Sequence, residues 1–464
     1  MRPPSPWKLA ELRDREYLRQ IHPAGDLVAS TATAMAAGGA AAGRDAHAFF
    51  VPGRLEMVGK HTDYAGGRSL IGATERGFGV VVLPRTDQRV RIFDVGRRRH
   101  LELRLEKSFE EPTRRWARYP ATVVRRVVRN FPADALHRLY GADIAFNNNL
   151  PSSAGLSTSS AFIISIYLAL ARTCQLGKRL EYQAEIRSVE DLATYLGTVE
   201  NGQSFGRLEG DSGIGTYGGS EDHTAILCSE AGKLSSYSFD PLRLEKRIDL
   251  PEGLLFAIGA SGVRASKAGR VREAYNRLSQ STTTAAAWWR QHTGGREPHL
   301  AAILASASVD DVCRVLENSA PEGFSATDLI QRVRHFAEES EEIVPAATAA
   351  LAQSDFEKLG EIVDRSQAIG AKLLGNQVPE TVFLAESARE AGALAASAFG
   401  AGFGGSVWAL VREEDAADFL DDWEVRYDNA FPRRSLRNTG TGPLNRDPLF
   451  FLTGLADGAR ELRP

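Results

Sequence analysis

Asn147-Asn148-Asn149-Leu150-Pro151-Ser152-Ser153-Ala154-Gly155-Leu156-Ser157-Thr158-Ser159-Ser160-Ala161 is the stretch on which the reading of this chain turns, because an apolar run from Phe162 to Leu170 follows it directly. Small residues and hydroxyls lead here into the first turn of a helix, where free backbone N–H groups and the positive end of the helix dipole favour an anion. The loop reads as a phosphate cradle, with its helix expected from about Ser160 to Arg172.

Around it lies a chain of 464 residues, too long for one comfortable core, so two large domains or two fused lobes are expected. A composition of 43% hydrophobic and 25% charged residues with a net charge of -3 describes an ordinary globular protein and argues against nucleic-acid binding by phosphate neutralisation. The basic runs Arg97-Arg98-Arg99 and Arg125-Arg126 read as solvated faces. Cys174, Cys228 and Cys313 are far apart, so neither a zinc site nor a disulfide framework is suggested. The N-terminus lacks an apolar signal core and no run of about 18 apolar residues occurs, which points to a cytoplasmic protein that does not cross a membrane.

Taken in order, residues 9–43 look helical, with Asp26 as a plausible cap, and Ala48 to Val51 reads as a buried strand ended by Pro52-Gly53. The polar string Arg54 to Gly67 is then expected on a loop or short helix. Short strands follow at Leu70-Ile71, Phe78 to Leu83, Val90 to Phe93 and Asp143 to Phe146, with a helix near Pro120 to Asn130. Apolar positions Val189, Leu192, Ala193 and Leu196 fall three and four apart and predict a helix running on through Glu200. The glycine-rich stretch Ser204 to Ser220 reads as a loop delivering Glu221-Asp222-His223 to an apolar strand at Ala225 to Leu227. Further strands are expected at Leu254 to Ile258 and Val407 to Val411, either side of a mostly helical region from 280 to 395. Within that region Asp355 to Ala371 and Pro379 to Ala396 read as helices.

Several motif readings fail. Gly400-Ala401-Gly402-Phe403-Gly404-Gly405 satisfies G-x-G-x-x-G, but a strand follows it where a dinucleotide site needs a helix, so close backbone approach is the better account of its glycines. Neither G-x-x-x-x-G-K-[ST] nor G-x-S-x-G occurs.

Three strings in order, Pro52-Gly53-Arg54-Leu55-Glu56-Met57-Val58-Gly59-Lys60-His61-Thr62-Asp63-Tyr64, the loop Leu150 to Ala161, and Gly400 to Ser406, resemble the GHMP small-molecule kinase superfamily and within it the galactokinases. Glu221-Asp222-His223, Tyr275-Asn276-Arg277 and Asp457-Gly458-Ala459-Arg460 are smaller echoes of the same pattern. The resemblance implies an α+β, two-lobed GHMP kinase fold, with a ribosomal-S5-like N-terminal lobe and a ferredoxin-like, helical C-terminal lobe. An N-terminal helical segment at 1–47 would precede lobes at 48–250 and 251–464.

The chemistry implied is ATP-dependent phosphorylation of a sugar at its anomeric hydroxyl, with galactose the leading substrate and Mg²⁺ as cofactor. By resemblance, Ser153, Ala154, Gly155, Leu156, Ser157, Thr158, Ser159 and Ser160 would bind ATP, and Ser159 with Glu200 would bind Mg²⁺. Asp222 would accept the sugar hydroxyl proton, and Arg54 would hold Asp222 ionised and stabilise developing charge. Lys60, His61, Asp63, Gly219 and Tyr275 would bind the sugar. Partners are then the sugar and ATP alone, with no nucleic acid and no membrane, in a monomer or weak homo-oligomer.

Some departures keep alternatives open. Lys60 stands where galactokinases carry a glutamate, so it could read the carboxylate of a uronic acid, accept a sugar lacking the usual 6-hydroxyl, or point to solvent. Ser153 and His223 are smaller departures. Glu200 reads nearly as well as a solvent-facing helical glutamate. A related kinase for a uronic acid or another hexose is the alternative enzyme, and a catalytically silent sugar and ATP sensor is the alternative from another class, against which the presence of both Arg54 and Asp222 argues.

Overall fold

The computed structural model describes residues 6–464 except 107–110, 134–137, 152–153, 264–268, 318–320 and 433–449, so Ser153 lies outside the described residues. It is a mixed α/β fold built on two sheets. The spine is an antiparallel pair, Asp45–Val58 with Arg68–Pro84, which sets Phe49 opposite Val80 and Arg54 opposite Ala73. Pro52-Gly53 does not end the first strand, as the sequence suggested. The register shifts there instead, a bulge at which Pro52 has no N–H to give the ladder. Gly53 lets the bulge press on its neighbours, since a Cβ there would lie 2.7 Å from Leu150 Cδ2 and 3.2 Å from the Leu156 carbonyl oxygen. The strand runs on to Val58, so Arg54 and Glu56 sit on a strand rather than a loop.

Among the described residues this sheet has nine strands. Its main path is Trp7–Lys8, Asp45–Val58, Arg68–Pro84, Ala142–Asn148, Arg89–Asp94 and Arg99–Arg104. The hairpin Lys233–Ser238 and Arg243–Asp249 joins Arg68–Pro84, and the last strand, Arg460–Leu462, returns to pair with Ala48 to Phe50. Both faces are covered, which is why Phe49-Phe50-Val51 is a continuous apolar run. Phe49 and Val51 enter the main core with Val80, Ile163 and Val127, while Phe50 packs with Trp7, Leu18, Val28 and Val81 beneath the helices Arg15–Ile21 and Gly25–Ala37. Asp26 is not the cap of the second helix; Ala24 holds that position and Asp26 binds Arg19 from inside the first turn.

Four helices pack on the main-core side: Arg118–Asn130, Thr158–Thr173, Val189–Asn201 and Glu221–Cys228. The last was expected to be a strand. An apolar triplet such as Ala225 to Leu227 cannot separate a buried helix from a strand by period, and Glu221 and Asp222 in the first turn suit the positive helix end.

The second sheet is antiparallel, in the order Ala395–Ala398, Ser406–Arg412, Leu254–Ala260 and Phe450–Thr453. The long helix Gly269–Thr293 and the helices Ala326–Ala337, Val344–Ala352 and Phe356–Ile369 fill the region read as helical. Helix Pro379–Glu390 stops short of the expected Ala396, whose place is in the strand Ala395–Ala398. Among the described residues, no helix is long and apolar enough to cross a membrane.

Candidate active site

Helix Thr158–Thr173 starts from Ser157, which is held in the left-handed region at φ 54°, and Gly155 before it is at φ 78°. The Ser157 hydroxyl is buried and has no hydrogen-bond partner among the described residues. The same holds for Ser406, which follows the glycine stretch 400–405. Gly405, at φ 91°, brings that stretch onto the loop, where a Cβ would come within 3.3 Å of Ala154. Loop, helix N-terminus and orphaned hydroxyls together form an anion cradle.

One cavity opens from this cradle. Gly155, Ser157, Thr158 and Ser159 line one side, and Trp116, Tyr119 and Phe162 supply an aromatic wall on the other. Arg97, Arg99 and Arg115 reach it too, and the Arg99 guanidinium lies 4.6 Å from the Trp116 ring centre. The basic runs are therefore not simply solvated faces. Arg126 is fully buried and donates to the Thr198 carbonyl at 3.1 Å. Leu156 is a core residue; its carbonyl accepts from the Arg54 backbone N–H at 3.2 Å and ties the cradle to the bulged strand.

Arg54 leads to the second cavity. Its Nε donates to Asp222 Oδ1 at 2.8 Å, with Glu56 at 3.5 Å and Glu221 at 3.8 Å. Burial opposes its charge, but the carboxylates of Asp222, Glu56 and Glu221 outweigh burial and hold the guanidinium protonated beyond its ordinary range. Glu221 answers differently: burial, then the charge of Glu56, lift its carboxyl well above the usual carboxylate range. Arg54 Nη1 is buried with no hydrogen-bond partner among the described residues. Ser160 Oγ donates to Glu200 Oε2 at 2.8 Å and stands 3.3 Å from Asp222 Oδ2.

This second cavity is lined by Arg54, Glu56, His61, Asp63, Gly219 and Tyr275, among others. Asp63 Oδ2 accepts from the Glu221 backbone N–H at 3.2 Å, and a Cβ on Gly219 would collide with it. Burial first, then the charge of Asp222, raise the Asp63 carboxyl to about 6, against the backbone N–H groups of Glu221 and Tyr64. Burial likewise keeps the Tyr275 phenol protonated well above its usual range. The His61 ring lies 5.2 Å from that of Tyr275, and its Nδ1 is 2.8 Å from the Tyr64 hydroxyl. The two cavities share a wall made of Arg54, Asp222 and Ala401.

Ser159 lines the cavity of the cradle, and its neighbour Ser160 bonds Glu200. One residue stands elsewhere than expected. Lys60 lines neither cavity: it is fully buried, its ammonium donates to Ser366 Oγ at 2.7 Å, and Ser366 in turn donates to Glu339 at 2.9 Å. Glu339 also accepts from the backbone N–H groups of Gly59 and Lys60, so this network holds the turn before His61. Glu200 is buried at the site, not on a solvent face, and its Oε1 has no hydrogen-bond partner among the described residues. No group of three or more His, Cys, Asp or Glu among the described residues is placed to hold a metal.

Sequence reasoning missed Glu56, Glu221 and the aromatic wall. Glu56 was findable in principle, since it is two residues from Arg54 on one strand. Trp116 and Tyr119 carried no distinguishing signal.

Residues 40–84 match the family model described as galactokinase galactose-binding signature, residues 119–210 that of the GHMP kinases N terminal domain, and residues 347–429 that of the GHMP kinases C terminal. The chain is similar to a galactokinase of Chloroflexus aggregans, 29% identical over 80% of this chain and 85% of the relative, and to one of Lacticaseibacillus casei, 25% identical over 90% and 95%. Its fold is similar to that of Lactococcus lactis galactokinase complexed with galactose, with a TM-score of 0.67 at 21% identity over 89% of this chain and 95% of that one. Methanococcus jannaschii mevalonate kinase follows at a TM-score of 0.53 and 13% identity, over 88% and 98%.

The buried position of Lys60 generates a test. Replacing it by methionine strips the cation from the Ser366–Glu339 network and is expected to destabilise the protein by roughly 3 kcal/mol in urea unfolding. An unchanged midpoint would contradict this placement.

Proposed function

The chain belongs to the GHMP small-molecule kinase superfamily, and on that premise we propose that it transfers the γ-phosphoryl group of ATP to the anomeric hydroxyl of a hexose, with galactose as the leading acceptor. The observation that carries this reading is the Arg54–Asp222 pair, bonded at 2.8 Å on the wall that the anion-cradle cavity shares with the Asp63 cavity. Phosphoryl transfer asks mainly for positioning and charge neutralisation, and a wall between two ligand cavities is where both are needed.

In this mechanism the nucleotide base lies on Trp116, Tyr119 and Phe162, and the triphosphate takes the N–H groups of the loop and the hydroxyls of Ser157 and Ser406. Asp63 accepts sugar hydroxyls, and Gly219 leaves it room to do so. Asp222 takes the proton of the attacking hydroxyl, and Arg54 Nη1, free of other hydrogen bonds among the described residues, meets the charge on the transferred group. Mg²⁺ fits the hard oxygen donors at this point: Glu200, through its orphaned Oε1, and the hydroxyls of Ser159 and Ser160 would hold it. When bound, it neutralises phosphate charge.

The uronic-acid alternative rested on Lys60 and loses its support with Lys60 outside the cavity. Glu56, Asp63, Glu200, Glu221 and Asp222 line that cavity, with Arg54 as its sole Lys or Arg among the described residues, so an anionic sugar would meet repulsion. The sensor alternative is disfavoured by an Arg–Asp pair at bonding distance.

Purified protein with ATP, Mg²⁺ and a panel of neutral hexoses should release ADP in a sugar-dependent way, and Asp222→Asn should lower turnover at least a hundredfold while sugar still binds. No sugar-dependent release, or near-normal turnover in the variant, defeats the proposal. Asp63 should bind sugar hydroxyls as a carboxylate, and its proton leaves at about 6. Accordingly kcat/KM for the sugar should fall about tenfold per pH unit below that point and level off above it. A flat profile between pH 5 and 7 would remove Asp63 from this role.

A further inference from the structure

A third cavity adjoins the Asp63 cavity on the side away from the cradle. Asp63, Tyr64, Gly197, Asn201, Gly218 and Gly219 line both, whereas none of the residues shared with the nucleotide cavity reaches it. Two helices frame it. Helix Gly269–Thr293 places Tyr275 at the Asp63 cavity and then lines the third with Ser279, Gln280, Thr283 and Thr284, which stand about 6 to 14 Å farther along its axis at the rise of an α-helix. Helix Val189–Asn201 does the same from its own end: Gly197 and Asn201 serve both cavities, and Thr194, Asp191 and Glu190 continue outward at helical spacing.

The chemistry of this lining is specific. Hydroxyls and amides alternate with the rings of Phe239, Phe324 and Tyr217, and Tyr217 is 47% exposed. None of the lining residues among those described is a lysine or arginine, while Glu190, Asp191, Asp240 and Glu322 are acidic. Anions are therefore disfavoured, and a neutral polyhydroxylated ring with apolar faces fits.

Resting on the kinase reading above, we propose that the acceptor is a neutral disaccharide or longer saccharide, whose reducing-end hexose occupies the Asp63 cavity and whose next ring occupies this third cavity. The anomeric hydroxyl faces Asp222 and Arg54, on the nucleotide side, so the second ring leaves from the opposite edge of the hexose, at O3 or O4. A reducing saccharide meets this demand, since its free anomeric hydroxyl lies on the end ring. The step balances as in the simple case: the bond from the γ-phosphorus to ADP breaks, a bond to the anomeric oxygen forms, and the hydroxyl proton passes to Asp222.

The test compares ADP release with galactose and with disaccharides carrying a neutral hexose or N-acetylhexosamine at O3 or O4 of a reducing galactose. One of them should exceed galactose in kcat/KM by about tenfold or more and give a disaccharide 1-phosphate by mass spectrometry. Thr283→Trp, at an exposed position in the third cavity, should bring that disaccharide down to the galactose level and leave galactose itself unchanged. Galactose turnover with no disaccharide above it overturns this inference and leaves the kinase reading standing, as does a Thr283→Trp variant that keeps full disaccharide activity. Turnover of no sugar defeats both.

Discussion

The charge of Arg54, buried among the carboxylates of Asp222, Glu56 and Glu221, is the constraint on which the rest of the site depends. A guanidinium removed from water is costly unless partners surround it, and unpaired carboxylates at the same depth would be equally so. The cluster resolves this with unequal partners. Asp222 takes the direct bond, and Glu221 is pushed toward its neutral form by burial and by Glu56. Removing Arg54 would leave the carboxylates of Asp222, Glu56 and Glu221 facing one another without their cation.

Holding that cluster is the work of backbone features that bring distant segments into contact. The Pro52-Gly53 bulge sets the Arg54 N–H against the Leu156 carbonyl, so a backbone hydrogen bond ties the strand to the loop before helix Thr158–Thr173. Gly400 lets its stretch approach Glu56, whose carboxylate accepts the Gly400 N–H at 3.2 Å, and Asn376 then holds the Gly400 carbonyl at 2.9 Å. On the other flank, Lys60, Ser366 and Glu339 pin the turn that presents His61 and Asp63. A charged residue that would be unusual at a sugar-binding position is ordinary as part of a buried network joining two parts of the chain.

What the sequence disclosed and what it hid follow physical lines. The helix after the phosphate loop, the helix through Glu200 and the strands Leu254–Ala260 and Ser406–Arg412 were legible because their apolar periodicity is long or their flanking glycines distinctive. The strand through Pro52-Gly53 was not, since a bulge looks like a turn until its partner strand is known. The helix Glu221–Cys228 was hidden because its apolar part is too short to show a period. At the site, Arg54, Asp63, Gly219 and Asp222 were named from motif resemblance, and they line one cavity. Side-chain direction was out of reach, which is how Lys60 was assigned to a cavity it does not line and the bond of Ser160 to Glu200 went unforeseen.

One arrangement is central: the cradle of Ser157 and Ser406 and the cavity of Asp63 meet across Arg54 and Asp222. A crystal structure with a non-hydrolysable ATP analogue and a bound neutral sugar tests this most directly. It should show the γ-phosphoryl group within hydrogen-bond reach of Arg54 and the anomeric oxygen about 3 Å from the Asp222 carboxylate. A triphosphate lying outside the Ser157–Ser406 cradle, or a sugar that turns another hydroxyl to Asp222, would contradict it.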